Sequence, residues 1–213
     1  MGLGSSRFVE IEISNKTRNI TLKKPRTYFN CGSCSKSPLP ELPPGISDTC
    51  HFSGDPVLWG VVGTTSVAGI LVYEAESFTL AVYFSNPDSN KFSVELGLEL
   101  SPGKAHLDNL KTTYTRMAEG TYSSSCQDIK FTRVVVGDNH GTARLSHGPV
   151  RVMAAMSYST GSTLKVVVEE RRGLGEEGEG ENRSGGRDGS GKNRTLQDLL
   201  WELRDGLGSS RMG

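Results

Sequence analysis

Two cysteines separated by two residues are the side chains in this sequence best spaced for chemistry. Cys31 and Cys34 form a C-x-x-C motif, a spacing found in redox-active dithiols and in half of a zinc site. The remaining cysteines, Cys50 and Cys126, supply no second ligand pair at a useful spacing. No alternation of strand and helix surrounds the motif either. The pattern therefore favours reduced thiols in a loop, and it predicts neither a metal nor a cofactor.

The histidines offer no catalytic arrangement. They are scattered along the chain, without the spacing of metal ligands or a strand-turn nucleophile motif beside them: His51, His106, His140 and His147. The glycine-rich stretch at 173–194 does not follow a strand and open a helix, as a phosphate-binding loop would. We therefore expect a protein that is not an enzyme.

Composition excludes some partners. Lys plus Arg and Asp plus Glu are balanced at 24 each, so no global charge draws the chain to nucleic acid. No apolar stretch reaches the roughly 18 residues of a membrane-spanning helix, and the N-terminus lacks the pattern of a secretory signal. A length of 213 residues suits one domain with an appendage. The sequence predicts a soluble chain without a signal peptide, associated with membranes only when active.

Short alternating segments dominate the first 172 residues. Val9, Ile11 and Ile13 alternate with polar residues, which indicates a strand with one buried face. Similar segments recur between turn clusters up to residue 170, as in a β-sandwich. At 104–118 the apolar spacing changes to three and four, which predicts one helix packed on a sheet. The expected fold class is mainly β, a sandwich over residues 1–172.

The most informative segment is 66–87, SVAGILVYEAESFTLAVYFSNP. Two apolar, β-rich stretches flank a polar break, as in a hairpin with both faces covered. The segment resembles the central hairpin of the actinoporin-like cytolysins, in which G-V-L-x-Y leads into T-L-A-V-x-F-S-x-P. The match lies at 69–73 and 79–87. The resemblance implies an actinoporin-like sandwich, membrane binding and pore formation.

The resemblance also implies a lipid headgroup site for phosphocholine or sphingomyelin. Ser85 and Pro87 match the family's S-x-P, and Tyr114 matches the first tyrosine of its second helix. Ala68 stands where the family usually has valine, and Cys31 where it usually has serine. These five residues are the predicted headgroup-binding set.

The chain departs from the family around that site. The two later tyrosines of the helix correspond to Ala118 and Glu119, and the long aromatic loop after Pro87 is reduced to 88–92. Trp59 and Phe92 are the aromatic residues available for membrane contact, although core packing would also explain them.

The C-terminal part has a different composition. Residues 173–194 are rich in Gly, Glu, Arg and Ser, which predicts a flexible linker. Residues 195–213 are predicted to form an amphipathic helix and tail, capped at Thr195. Its leucines lie on one apolar face, and Trp201 is expected near the lipid headgroups. The predicted membrane-inserting residues are Leu196, Leu199, Leu200, Trp201, Leu203 and Leu207.

The hexapeptide GLGSSR occurs at both ends, at 2–7 and 206–211. Joining the ends through it would place the amphipathic helix directly before the first strand, which is the order in the family. The repeat therefore suggests a circular permutation that moves the N-terminal helix to the C-terminus. The alternative is a repeated tag or linker scar.

Two functions follow from these patterns. The first is a pore-forming cytolysin that docks by loops of the sandwich, self-associates on the membrane and inserts the C-terminal helix. The second is a lectin-like or protein-binding sandwich without lytic activity, which the shortened aromatic loop favours.

Overall fold

The computed structural model describes residues 6–55, 65–89, 92–103, 109–122, 128–137 and 140–171. The strands are β1 (Phe8–Asn15), β2 (Leu22–Cys31), β3 (Ser33–Lys36), β4 (Glu41–Leu42), β5 (Ser47–Ser53), β6 (Val67–Glu74), β7 (Phe78–Asn86), β8 (Glu95–Pro102), β9 (Lys130–Val135), β10 (His140–His147), β11 (Val150–Ser157) and β12 (Gly161–Glu170). The helix is α1 (Leu110–Glu119).

These strands form two six-stranded sheets. The first sheet has the order β10-β11-β12-β1-β5-β3 and the second has the order β4-β2-β6-β7-β8-β9. Strand β1 pairs in parallel with β12 and antiparallel with β5. The prediction of a mainly β protein, a sandwich with one packed helix, is confirmed.

The core lies between the two sheets. Alternate residues of β1, among them Ile11 and Ile13, are fully buried and pack with Leu98 of β8 and Val166 of β12. Successive side chains of a strand point to opposite faces. The alternation in the sequence therefore marks the face that each sheet turns toward the other.

The β6–β7 hairpin is covered on both faces. Every residue of β6 is buried, as are all of β7 except Ser85. One face belongs to the core, and the other packs beneath α1, where Ile70, Ala81 and Met117 share a second apolar cluster. The prediction of a doubly covered hairpin is thus confirmed, and α1 supplies the second cover.

Helix α1 is short and well capped. The Asn109 side chain accepts a hydrogen bond from the Thr112 amide, and Gly120 ends the helix in the left-handed conformation (φ 69°). The helix therefore begins at Leu110, not at Lys104 as predicted. In the described part of the chain, no helix is both long and apolar enough to cross a membrane.

Some predicted boundaries were wrong. The apolar segments at 20–22 and 27–29 read as two strands in the sequence, but Leu22 and 27–29 belong to one strand, β2, and residues 20 and 21 precede it. The register of β2 shifts between Lys23 and Arg26 around Pro25, as is typical of proline in a sheet. The Pro- and Ser-rich region at 35–47 contains the strand β4. The apolar run at 57–62, which also predicts a strand, lies outside the described residues, as do the linker predicted at 173–194 and the helix predicted at 195–213.

Candidate functional site

Three of the five predicted headgroup residues lie in one line across the second sheet. Cys31 of β2 is opposite Ala68 of β6, and Ala68 is opposite Ser85 of β7. The line continues through Glu95 of β8 to Val135 of β9. We call these five residues the Ser85 row. Directly opposed residues in neighbouring strands share one face of a sheet, so their side chains project to the same side.

That side is the outer face, which α1 crosses. Ala68 and Ile70 are two positions apart in β6, and Tyr83 and Ser85 are two apart in β7, so each pair shares a face. Ile70 and Tyr83 pack against Met117 of α1. The Ser85 row therefore lies on the helix-covered face.

The fourth predicted residue, Tyr114, reaches the neighbouring row from α1. Its ring centroid is 5.4 Å from that of Tyr28 and 5.7 Å from that of Tyr83, and both pairs are tilted. These distances are typical of favourable aromatic pairs. Tyr28, Tyr83 and Tyr114 form a tyrosine cluster beside the Ser85 row.

A carboxylate connects the cluster to the row. The Tyr83 hydroxyl donates a hydrogen bond of 3.1 Å to Glu95 Oε2. Arg133 Nη1 lies 4.0 Å from the same Glu95 oxygen. The polar part of the site therefore contains a carboxylate that is only partly neutralised.

The hydroxyls and the thiol of the site stay protonated at neutral pH. Burial raises the pKa of Tyr114 to about 12. Burial, with Glu95 nearby, raises the pKa of Tyr83 well above its usual range. Burial also raises the pKa of the Cys31 thiol, and the negative charges of Asp88 and Asp55 add to the shift. The site presents aromatic rings, neutral donors and one carboxylate.

The fifth predicted residue, Pro87, follows β7 and opens a tethered loop. The Asp88 carboxylate accepts hydrogen bonds from the Thr65 hydroxyl at 2.5 Å and from the Ser66 hydroxyl at 2.9 Å. The Asp88 amide donates back to Ser66 Oγ at 2.9 Å. These hydroxyl hydrogen bonds lower the pKa of Asp88. The entrance to the short loop is thereby held against the segment that leads into β6.

The predicted membrane-contacting residues have different outcomes. Phe92 is 71% exposed, so core packing does not explain it. Trp59 lies outside the described residues, as do all six predicted helix residues (Leu196, Leu199, Leu200, Trp201, Leu203 and Leu207).

Sequence reasoning missed four members of the site. Tyr83 occupies the open x of T-L-A-V-x-F-S-x-P, so the motif drew no attention to it. Glu95 and Val135 belong to the site through the register of β8 with its neighbours, and Tyr28 through its contact with α1. The aromatic content of β2 and β7 was a visible signal, but their common face depends on the pairing.

The C-x-x-C motif does not form a dithiol site. Cys31 ends β2 in the second sheet, whereas Cys34 lies in β3 of the first sheet. Gly32, with φ 86°, makes the turn between the two sheets. Both thiols are free, and they lie in strands where loops were expected. Among the described residues, no group of three or more His, Cys, Asp or Glu side chains could hold a metal ion.

Helix α1 is fixed to the sheet by a buried ion pair. Arg116 donates to both carboxylate oxygens of Glu99 on β8 at 2.7 to 3.1 Å, and Tyr122 donates to Glu99 Oε2 at 2.6 Å. Glu99 is two positions from Gly97 on the outer face. This pairing sets the position from which α1 projects Tyr114.

A cleft of about 820 Å³ borders α1, but its described lining contains no member of the Ser85 row or the tyrosine cluster. Its described lining combines one side of the helix with the segment that follows it: Asn109, Lys111, Thr112, Thr115, Arg116, Gly120, Thr121 and Tyr122. It is separate from the candidate headgroup site.

Comparison with known proteins supports the fold. No family model matches the sequence, and no curated protein matches it significantly. The structure is similar to that of the lipid-binding protein Nakanori, with a TM-score of 0.56 and 15% identity over 79% of this chain and 73% of that chain. IP-1A from Alcaligenes faecalis aligns over 79% of this chain and 94% of that one at 13% identity, with a TM-score of 0.36, too low to support any argument. At these identities, the similarity to Nakanori shows a common β-sandwich fold.

Proposed function

We propose that this protein binds lipid membranes and that the Ser85 row, with the tyrosine cluster, holds a zwitterionic lipid headgroup. The observation that carries the proposal is the juxtaposition of Ser85, Ala68 and Cys31 on one face, beside Tyr114. Positions far apart in the sequence lie together in the fold: Ser85 and Tyr114 match the actinoporin-like pattern, and Ala68 and Cys31 stand at positions of that pattern with a different residue. Nakanori, which shares the fold, is itself described as lipid-binding.

The chemistry of the site suits a quaternary ammonium group. Tyr28 and Tyr114 are half-buried, so they keep accessible surface. A cation over an aromatic face gains on the order of 0.5 to 2 kcal/mol. The carboxylate of Glu95 adds attraction for the cation, and the Ser85 hydroxyl can donate to a phosphate oxygen. A phosphocholine headgroup carries both a quaternary ammonium cation and a phosphate anion.

The second half of the proposal concerns pore formation. Residues 195–207 have a leucine face and are about 20 Å long as a helix, which is shorter than the roughly 30 Å hydrocarbon core. Such a helix can lie in the interface, each buried leucine contributing roughly 1.5 to 3 kcal/mol. A pore then requires several copies, which makes self-association on the membrane part of the proposal.

Vesicle binding tests the headgroup site. The full chain is incubated with vesicles of phosphatidylcholine, with and without sphingomyelin, and with phosphatidylglycerol vesicles for comparison. Tyr114→Ala should weaken binding to choline lipids about tenfold or more, because the aromatic face is lost. Thr115→Ala, an exposed neighbour on the same helix, is the matched control and should bind as the wild type does. Equal binding by all three proteins would refute the assigned site.

Dye release tests the helix. Leu199→Asp with Leu203→Asp should abolish release from choline-lipid vesicles, and the variant should keep only the vesicle binding that the sandwich provides. The control is Gln197→Asp with Arg204→Gln, which changes the net charge by the same two units on the polar face. Release by the leucine variant equal to that of the control would contradict helix insertion.

A non-lytic binding sandwich is the second candidate, favoured by the short 88–92 loop that replaces the family's aromatic loop. Deletion of 173–213 separates the two functions. A lectin-like or protein-binding module keeps its ligand after the deletion, whereas a pore former loses permeabilisation. Failure of the full chain to bind any vesicle would favour this candidate.

A further inference from the structure

Large apolar side chains that are exposed are concentrated at one end of the sandwich. In the described part of the chain there are six of them, with exposed fractions from 37% to 71%: Phe8, Leu39, Ile46, Phe92, Val135 and Tyr158. Four lie at the end where β7 and β9 finish and where β1 and β8 begin. We call Phe8, Phe92, Val135 and Tyr158 the apolar end. Of these four, only Phe92 was singled out by the sequence pattern.

A buried amide fixes two members of the apolar end relative to the headgroup site. Asn86, next to Pro87, is fully buried. Its Nδ2 lies 3.0 Å from the Phe8 carbonyl and 3.1 Å from the carbonyls of Ser159 and Thr160. The last residue of β7 therefore ties the start of β1 to the turn that carries Tyr158.

The other two members belong to the second sheet. Val135 is the end of the Ser85 row, opposite Glu95. Phe92 precedes β8, and its amide donates to the Ser89 carbonyl in the short loop after Pro87. In the second sheet, the apolar end is thus continuous with the candidate headgroup site. It also extends to the first sheet through Phe8 and Tyr158.

The remaining two exposed residues lie at the opposite end of the sandwich. The Leu39 carbonyl accepts a hydrogen bond from Tyr73, near the finish of β6. The Ile46 carbonyl accepts from the Asn15 amide at the finish of β1. They are similar to Val135 and Tyr158 in exposure and provide a built-in control.

The charged side chains next to the apolar end are of both signs. Glu95 lies 4.0 Å from Arg133. The positive charge of Arg7 helps to lower the pKa of Asp88. The Asp88 carboxylate also accepts hydrogen bonds from two neighbouring hydroxyl groups. These groups provide no concentration of positive charge that would attract an anionic bilayer, and binding to a zwitterionic bilayer does not require one.

From these observations we infer that the apolar end is the surface that contacts the bilayer, and that the sandwich stands on it with its strands pointing toward the membrane. The inference rests on the proposed function, and it adds Phe8, Val135 and Tyr158, including two residues of the first sheet. The partner that this surface contacts is the interfacial region of a zwitterionic bilayer. Separate aromatic and aliphatic side chains can enter that region independently, and tyrosine is enriched there.

Partition into vesicles of phosphatidylcholine and sphingomyelin tests the inference. Val135→Ser with Tyr158→Ser should reduce the partition coefficient of the full chain about tenfold or more, since two apolar groups no longer leave water. Leu39→Ser with Ile46→Ser, at the opposite end, should change it less than about twofold. Thermal unfolding of both variants establishes that they fold.

A second measurement does not depend on loss of binding. Tyr158→Trp and Ile46→Trp add a tryptophan to the two already present. Brominated phosphatidylcholine should quench the added emission in Tyr158→Trp and leave that in Ile46→Trp unchanged.

The outcomes separate the two proposals. If the wild type binds no vesicle, the proposed function fails and this inference fails with it. If the wild type binds but both serine variants bind equally well, or both tryptophans are equally quenched, only the inference is overturned. A smaller assembly of the Val135→Ser, Tyr158→Ser variant in solution, with unchanged partition, would overturn it by identifying a second copy as the occupant.

Discussion

Arg116 of α1 and Glu99 of β8 form a bidentate ion pair, and both side chains are almost completely buried, at 9% and 2% exposure. The Tyr122 hydroxyl donates to the same carboxylate at 2.6 Å, and the Arg116 guanidinium lies 5.4 Å from the Tyr122 ring centroid. Charged hydrogen bonds therefore hold the helix that carries Tyr114 against the sheet that carries Ser85.

We predict that Arg116→Ala lowers the free energy of unfolding by about 3 to 5 kcal/mol, because Glu99 is left as a buried charge without its partner. Urea denaturation measures the loss. Arg151→Ala is the control, since Arg151 pairs with Glu169 at 26% and 16% exposure. It should cost roughly 0 to 1 kcal/mol. Equal losses in the two variants would mean that the Glu99 pair does not anchor α1.

A second prediction concerns Asn86. Its replacement by alanine removes the side-chain donor that lies 3.0 Å from the Phe8 carbonyl, at a cost of roughly 1 to 3 kcal/mol. The Thr160 carbonyl loses the same donor but keeps the Phe8 amide. Hydrogen exchange of the Phe8 amide, which donates to Thr160, should accelerate. Asn30→Ala, at an exposed position, should change stability by less than about 0.5 kcal/mol. Unaltered exchange at Phe8 in Asn86→Ala would contradict the role of this amide.

The elements that sequence predicted best are those whose side chains alone determine the structure. The β6–β7 hairpin was recognised because β-branched and aromatic residues fill both stretches around a polar break. The alternation of Leu96, Leu98 and Leu100 with other residues likewise predicts β8, and these leucines are fully buried. Residue type alone therefore indicates a strand in both segments, although in β8 the intervening Glu99 is also buried, by its ion pair with Arg116.

Strands that depend on their partners were missed. The sequence of β5, SDTCHFS, and that of β10, HGTARLSH, are largely polar. They form strands because the backbone of β5 pairs with that of β1 and the backbone of β10 pairs with that of β11. Propensity in strands depends strongly on such context. The same limit applies to the site, where Glu95 joins Ser85 only through the register of β7 with β8.

We predict that the free energy of unfolding falls at alkaline pH because several tyrosines are buried. Burial raises the pKa of Tyr114 to about 12 and holds the pKa values of Tyr83 and Tyr122 well above their usual range. The folded state therefore keeps protons that the unfolded chain releases near pH 10. By linkage, this stability is fully present below pH 10 and is lost as pH rises toward 12 and beyond.

Urea denaturation at several pH values, together with ultraviolet titration of the phenols, measures this loss. Tyr114→Phe should have a shallower decline between pH 10 and 12, because one of the late-titrating groups is removed. A decline of the same steepness in the variant would show that Tyr114 does not contribute to it.

The last prediction uses the thiol that lies in the Ser85 row. Cys31 is half-buried, and its pKa is raised by burial, so a maleimide should react slowly because the thiolate is the nucleophile. Once attached, the group occupies the space beside Ala68 and Ser85 and should weaken vesicle binding about tenfold or more. Bound choline-lipid vesicles should in turn protect Cys31 from the reagent. Cys31→Ser should bind vesicles like the untreated wild type, with or without the reagent. If treatment weakens that variant equally, another cysteine is responsible and Cys31 lies outside the binding site.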